Sequence, residues 1–326
     1  MRNVLLLFVV LIFSGCGQDE RNGGVSTNTL PKSHGGRLDI IVVAKESWWG
    51  EVAGEKFIKY FARQQDGLPQ AEPIFTVRQI VPESFNDLLK RSRNLVLFEE
   101  AEEPELVIKE NVYARPQKLI LFKGPDATAI AKLIIKNAKE LTTMLHFSEM
   151  KHLQQRITKQ HQPVPAVLKE HNISMKIPES FQVESEQEDL LVLWNKGLKT
   201  DQGIIIYFEP IEAGSALIGD DIIPLRDSLT ALHVPGDREG SYMVVEDYIP
   251  PVFENMEMDG QFAIEVRGLW RTKGDFMGGA FISYTIFDEI NNQRIMLDAF
   301  LYAPESKKRN FLLELEAVLR TVEITN

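Results

Sequence analysis

The chain of 326 residues holds a single cysteine, Cys16. With no second thiol there is no internal disulfide, so stability has to come from a packed core. Metal-ligand spacing is missing too. None of the six histidines has a Cys or His partner at ligand distance along the chain, and no H-E-x-x-H occurs. G-x-S-x-G, G-x-G-x-x-G and a Walker lysine are all absent, which argues against a serine-hydrolase elbow and against phosphate loops. An S-x-x-K at Ser148 to Lys151 stands alone, because the neighbouring patterns it would need come in the wrong order. Positive charge is also short: 36 basic against 47 acidic side chains leave a net charge of −11, a poor match for nucleic acid. No cofactor is expected.

Long apolar runs are scarce, and the longest is informative. Arg2 precedes ten apolar residues, Val4 to Phe13, which as a helix reach about 15 Å, half of a bilayer core. Ser14 and Gly15 then lead directly to Cys16, the layout of a secretory signal. The segment resembles a bacterial lipoprotein signal, with Phe13 in place of the usual Leu. That resemblance implies a diacylglyceryl thioether on Cys16, cleavage after Gly15 and acylation of the new amine. Several acyl chains at about 0.8 kcal/mol per buried methylene hold a protein on a membrane firmly. Gly17 stands where an inner-membrane lipoprotein would carry Asp, which by the same resemblance favours the outer membrane; Gln18, Asp19 and Glu20 leave the membrane face open.

The expected organisation is a signal at 1–15, a polar tether at 16–36, an α/β layered domain at 37–161 and a mainly antiparallel sheet domain packed by helices at 162–326. Together these make an α+β chain. Apolar runs at 37–45, 93–99 and 117–124, a β-rich run at 73–81 and helical patterns at 51–62 and 82–92 define the first domain. From Asp126 an amphipathic pattern continues through Leu141, Leu145, Leu153 and Ile157. Such a helix outruns its own domain, so it either breaks near 146–148 or projects to bridge to the second half. The acidic run 99–105 reads as a solvated loop. In the second domain, hairpin turns are expected at 272–275 and 288–293, with a closing helix over 311–322 that covers one sheet face. This element order is similar to that of the Mog1 and photosystem-II P-type proteins.

Two places carry candidate function. Trp48 and Trp49 follow the first strand, and ligands bind at the carboxyl ends of strands in open α/β sheets. They form a candidate binding surface for an envelope protein or a glycan. The competing reading is an envelope hydrolase with a dispersed acid pair, Asp220 or Asp221 with Glu246 or Asp247. Several segments, among them "GGRLDIIVVAKESWWGE", "GLWRTKGDFMGGAFISY" and "FLYAPESKKRNFLLELEAVLRTVE", resemble an uncharacterised lipoprotein family, domain of unknown function 4837, from about Gly35 to Val322. The resemblance implies a membrane-anchored protein and brings no catalytic residues. The expected role is non-catalytic binding or scaffolding in the cell envelope, with the membrane reached through the lipid on Cys16.

Overall fold

Apolar runs of strand length build the first layer, and the computed structural model describes residues 30–211 and 219–325. Cys16 and the signal lie outside the described residues. Asp39–Val43 (β1), Thr76–Ile80 (β2), Asn94–Glu100 (β3) and Lys118–Gly124 (β5) run parallel, and Glu105–Glu110 (β4) closes one edge antiparallel to β5. The order is β2-β1-β3-β5-β4. Glu46–Trp49 (α1) and Val52–Phe61 (α2) carry the chain from β1 to β2, with Phe57 and Phe61 fully buried against the sheet.

Two local features differ from expectation. A 3-10 turn at Pro82–Ser84 and the one-turn helix Asp87–Lys90 (α3) replace a single helix over 82–92. Asn86 is extended and its side chain accepts from the Leu89 N–H, so it caps a new helix instead of continuing the old one. The acidic run 99–105 keeps an exposed loop at 101–104, as expected, with Glu99 and Glu100 ending β3 and Glu105 beginning β4. Lysines beside the carboxylates relieve their repulsion, with Lys45 on Glu100 at 2.7 Å and Lys123 on Glu105 at 3.1 Å. The tether also ends earlier than residue 36. Ser33 N–H donates to Arg115 O and His34 N–H to Arg91 O, which docks this stretch on the first layer.

Ala127–Ile157 (α4) is one unbroken helix of 31 residues, about 46 Å long. The Asp126 carboxylate caps it by accepting from the Ala129 N–H at 2.8 Å. It does not break near 146–148, because the next turn is anchored: buried Glu149 accepts from Arg93 at 2.8 Å and from Asn94 Nδ2 at 2.8 Å. Its first half lies on the first sheet. Its second half projects to Arg309–Leu319 (α7), where Leu145, Met150 and Leu153 share a core with Leu313 and Ala317. His161 falls beyond the helix end.

After the short helix Ala166–Glu170 (α5), the strand Ile173–Ser174 (β6) pairs with the last strand, Glu323–Ile324 (β15). The second sheet comprises Gln182–Glu186 (β7), Leu190–Lys196 (β8), Asp201–Pro210 (β9), Tyr242–Val245 (β10), Val252–Met258 (β11), Gln261–Lys273 (β12), Gly278–Asp288 (β13) and Gln293–Tyr302 (β14). It is antiparallel in the order β10-β12-β13-β14-β9-β8-β7, and β11 also pairs with β12. The hairpins β12–β13 and β13–β14 turn where the sequence indicates. The β11–β12 hairpin went unread from the sequence; its turn is Asp259-Gly260, both at positive φ, the chemistry of a primed turn. At Gly279 a Cβ would lie 2.0 Å from the Leu301 carbonyl, so the paired glycines serve close backbone approach. Ile222–His233 (α6) covers one face and α7 the other.

The halves are joined through α7. Glu72, from the loop before β2, accepts from the Lys308 and Arg309 N–H groups at 2.6 and 3.3 Å and so caps a helix of the other half. Arg309 donates back to the Pro73 carbonyl at 2.6 Å. Under α6, Arg226 donates twice to Asp298, at 2.7 and 3.2 Å, with its guanidinium 3.8 Å over the Phe281 ring. Burial pushes the Asp298 carboxyl up, and Arg226 works against that shift.

Two stability predictions follow from these contacts. Glu72→Ala should cost about 1–2 kcal/mol, because two buried donors lose their acceptor, and thermal melts read the loss. Arg226→Met should cost about 3–5 kcal/mol by stranding Asp298, while adding Asp298→Leu should restore most of it in urea titrations. A double variant no more stable than the single one would refute the pairing.

Candidate functional site

The second half of α4 and the hairpin arm β11 form the two walls of a groove. Thr143, His146 and Phe147 face Val252, Glu254 and Met256 at one end, and Gln155 and Lys159 face Glu257 and Asp259 at the other. The walls match in length. Residues 143–159 of the helical wall and 252–259 of the strand wall each span about 25 Å. Two continuous chambers of about 730 and 310 Å³ share Phe147, Met150 and Arg320. Strand alternation turns Val252, Glu254 and Met256 inward. Phe147 is 48% exposed, an aromatic ring open to solvent in the middle of the helical wall.

The floor is a closed network of charges. Arg267 donates to Glu265 at 2.6 Å and pairs with Glu316 at 3.0 Å. Arg320 reaches Tyr284 Oη at 3.0 Å and Glu265 at 3.3 Å, and His146 Nε2 lies 3.1 Å from Glu316. Burial pushes the Glu316 carboxyl up, but Arg267, His146 and Arg320 outweigh it and hold that group well below the usual carboxylate range. Glu265 follows the same pattern: burial raises it, and Arg267 with Arg320 brings it below its ordinary value. Tyr284 is pushed well up, first by burial and then by the two glutamates. At neutral pH the floor therefore carries two fixed carboxylates, two fixed guanidinium groups and a neutral phenol.

The sequence-derived candidates lie elsewhere. Trp48 and Trp49 are half-buried at the carboxyl end of β1, where the chain leaves for β2 on one side and later returns to β3 on the other. Trp49 sits 6.1 Å from Phe57 and 6.3 Å from Phe98, within the first core. Lys45 covers Trp48 with its ammonium 5.2 Å from the ring while pairing with Glu100. The groove is at the opposite end of this layer, since Glu149 of α4 meets Arg93 and Asn94 at the amino end of β3.

The dispersed acid pair does not converge. Asp221 pairs with Arg294, whereas Glu246 and Asp247 face Arg271 at 3.7 and 3.6 Å. Arg294 is opposite Phe287 and Arg271 opposite Gly278, so the two ends of β13 separate them by roughly 30 Å. Among the described residues no group of three His, Cys, Asp or Glu side chains is placed to hold a metal, and no helix is long and apolar enough to cross a membrane.

The network makes stability depend on acid. Glu316 has a folded-state pKa below its ordinary 4.5, so its contribution is complete above about pH 4.5 and is lost as pH falls below that value. Glu316→Gln should destabilise the protein at pH 7 by about 3 kcal/mol, and the gap to wild type should narrow as pH drops. Urea titrations at a series of pH values measure this, and a gap that stays constant with pH would contradict it.

No curated protein sequence gives a match. Among solved structures, the Saccharomyces cerevisiae Ran-binding protein Mog1p aligns with 47% of this chain and 90% of its own, at 13% identity and a TM-score of 0.30. A mutant of protein Mog1 aligns with 48% of this chain and 92% of its own, at 12% identity and a TM-score of 0.27. Residues 33–158 match a separate family, Domain of unknown function (DUF8532), so the resemblance drawn from the sequence across both halves divides at the end of α4. Residues 160–321 match the family Domain of unknown function (DUF4837).

Proposed function

We propose that this protein is a lipid-anchored, non-catalytic binding or scaffolding protein of the cell envelope that holds an extended segment of an envelope protein or glycan in the groove between α4 and β11. The observation that carries the binding role is the groove itself: about 25 Å of continuous wall, enough for roughly seven residues of extended chain. Its floor charges are paired, and both buried glutamates are held ionised by arginines. Such an arrangement suits recognition by a rigid surface better than proton transfer, which needs groups with pKa values set apart near the working pH. Methionines 150, 256 and 258 along the walls add apolar contact that adapts to a partner's shape. Trp48 and Trp49 are a second candidate surface, with one face of Trp48 taken up by Lys45.

The envelope address is supported by Arg2, the apolar run Val4 to Phe13 and the Ser14-Gly15-Cys16 sequence. An acidic chain, a polar stretch after the cysteine and Gly17 next to it fit an outer-membrane lipoprotein. The periplasmic and surface faces are both compatible with these residues.

Cys16→Ser should move the protein from the membrane pellet to the soluble fraction and abolish the acyl mass on the mature chain; a serine variant that still pellets with membranes removes the anchor. For the groove, a photo-crosslinker at Phe147 in living cells should trap a defined partner that one at Ile135, an exposed α4 position outside the groove, does not. Equal capture at both positions would count against the groove.

A further inference from the structure

A second cavity lies on the other flank of α7, and from it we infer a binding site for a small carboxylate with a compact apolar body. This goes beyond the proposed envelope role and does not depend on it. The cavity holds about 320 Å³ and opens to solvent between α4, α7 and the adjoining ends of β8 and β9, at the low end of sizes found for small-ligand sites. One part of its wall is hydrocarbon, from Leu153 and Ile157 of α4, Leu315 and Val318 of α7, and Phe181 just before β7.

Among the polar groups that line the rest, two are donors without a protein acceptor. Gln202 alternates with Ile204 and Ile206 along β9, which turns its side chain toward α7, and it is only 6% exposed. Its Oε1 accepts from Asn195 Nδ2 at 3.0 Å. Its Nε2 is buried with no partner. A buried donor left unpaired bears its full desolvation cost, so an acceptor placed there is worth more than an ordinary hydrogen bond. At the rim, Arg156 makes no ion pair among the described residues, while the neighbouring Arg37 is taken by Glu314. A carboxylate is the group that answers both. One oxygen accepts from Gln202 Nε2, and its charge is compensated by Arg156 at the rim. The carbon body of the ligand then lies against the leucine, isoleucine and phenylalanine walls.

The probe is phenylpropionate, with phenylpropanol as its uncharged counterpart, titrated into the full-length protein in detergent at pH 7 and followed by ligand-observed NMR. The acid should bind at least about tenfold more tightly than the alcohol, as expected when a charge-assisted hydrogen bond replaces a neutral one. Arg156→Gln and Gln202→Leu should each weaken the acid by about tenfold, and Arg156→Gln should leave the alcohol unchanged. Gln202→Leu should also raise the melting temperature of the ligand-free protein, because the orphan donor is gone. Equal binding of acid and alcohol, acid binding that neither substitution alters, or no binding at millimolar concentration would each overturn the site. Arg156 is exposed, so its variant decides the matter even if Gln202→Leu fails to fold. Loss of the membrane anchor in Cys16→Ser leaves all these outcomes untouched.

Discussion

Helix α7 has to be buried on two flanks at once. Leu312, Leu315, Val318 and Leu319 pack on the second sheet, and Leu313 and Ala317 pack against α4. Eleven residues with apolar groups on both sides leave little solvent face, so the helix draws its burial from both halves. The rest of the architecture serves that requirement. The long α4 has to reach past its own sheet, and the loop before β2 has to supply Glu72 to end the helix cleanly. The groove and the smaller cavity are the spaces left on either flank of α7, where neither α4 nor the strands close completely over it.

Charge is used inside this protein as much as on it. The chain is acidic overall, yet three well-covered arginines meet carboxylates: Arg93 with Glu149, Arg226 with Asp298, and Arg267 with Glu265 and Glu316. Such pairs cost desolvation on both sides and add little net stability compared with hydrocarbon of the same volume. They do fix register. Glu149 sets where α4 crosses β3, and Glu316 sets how α7 turns over β12. A helix that bridges two layers needs such marks, since apolar packing alone allows sliding by a turn.

Much of the layout was readable from residues. Continuous apolar runs placed β1, β3 and β5, and the 3.6-residue pattern from Asp126 to Ile157 gave a helix too long for its domain, with bridging as one of its two outcomes. β11 escaped because Val252 to Met258 alternates charged and apolar residues only weakly and sits between prolines and an Asp-Gly turn. The acidic run was legible as an exposed loop at 101–104, while its flanking glutamates belong to β3 and β4 and meet Lys45 and Lys123 only in three dimensions. The acid pair failed for the converse reason: nothing in a sequence reports that two carboxylates end up at opposite ends of one strand. Neither cavity was visible beforehand. Their linings mix residues from positions near 37 to positions near 320, and no local spacing signals that convergence.

The cap supplied by Glu72 has a modular consequence. A cut at residue 160 looks natural, since it separates the stretches matched by different families. It would nevertheless leave the second piece with an unsatisfied helix start and a bare hydrocarbon flank at Leu313 and Ala317. The flank of α4 at Leu145 and Leu153 likewise stays uncovered until α7, made last, packs on it.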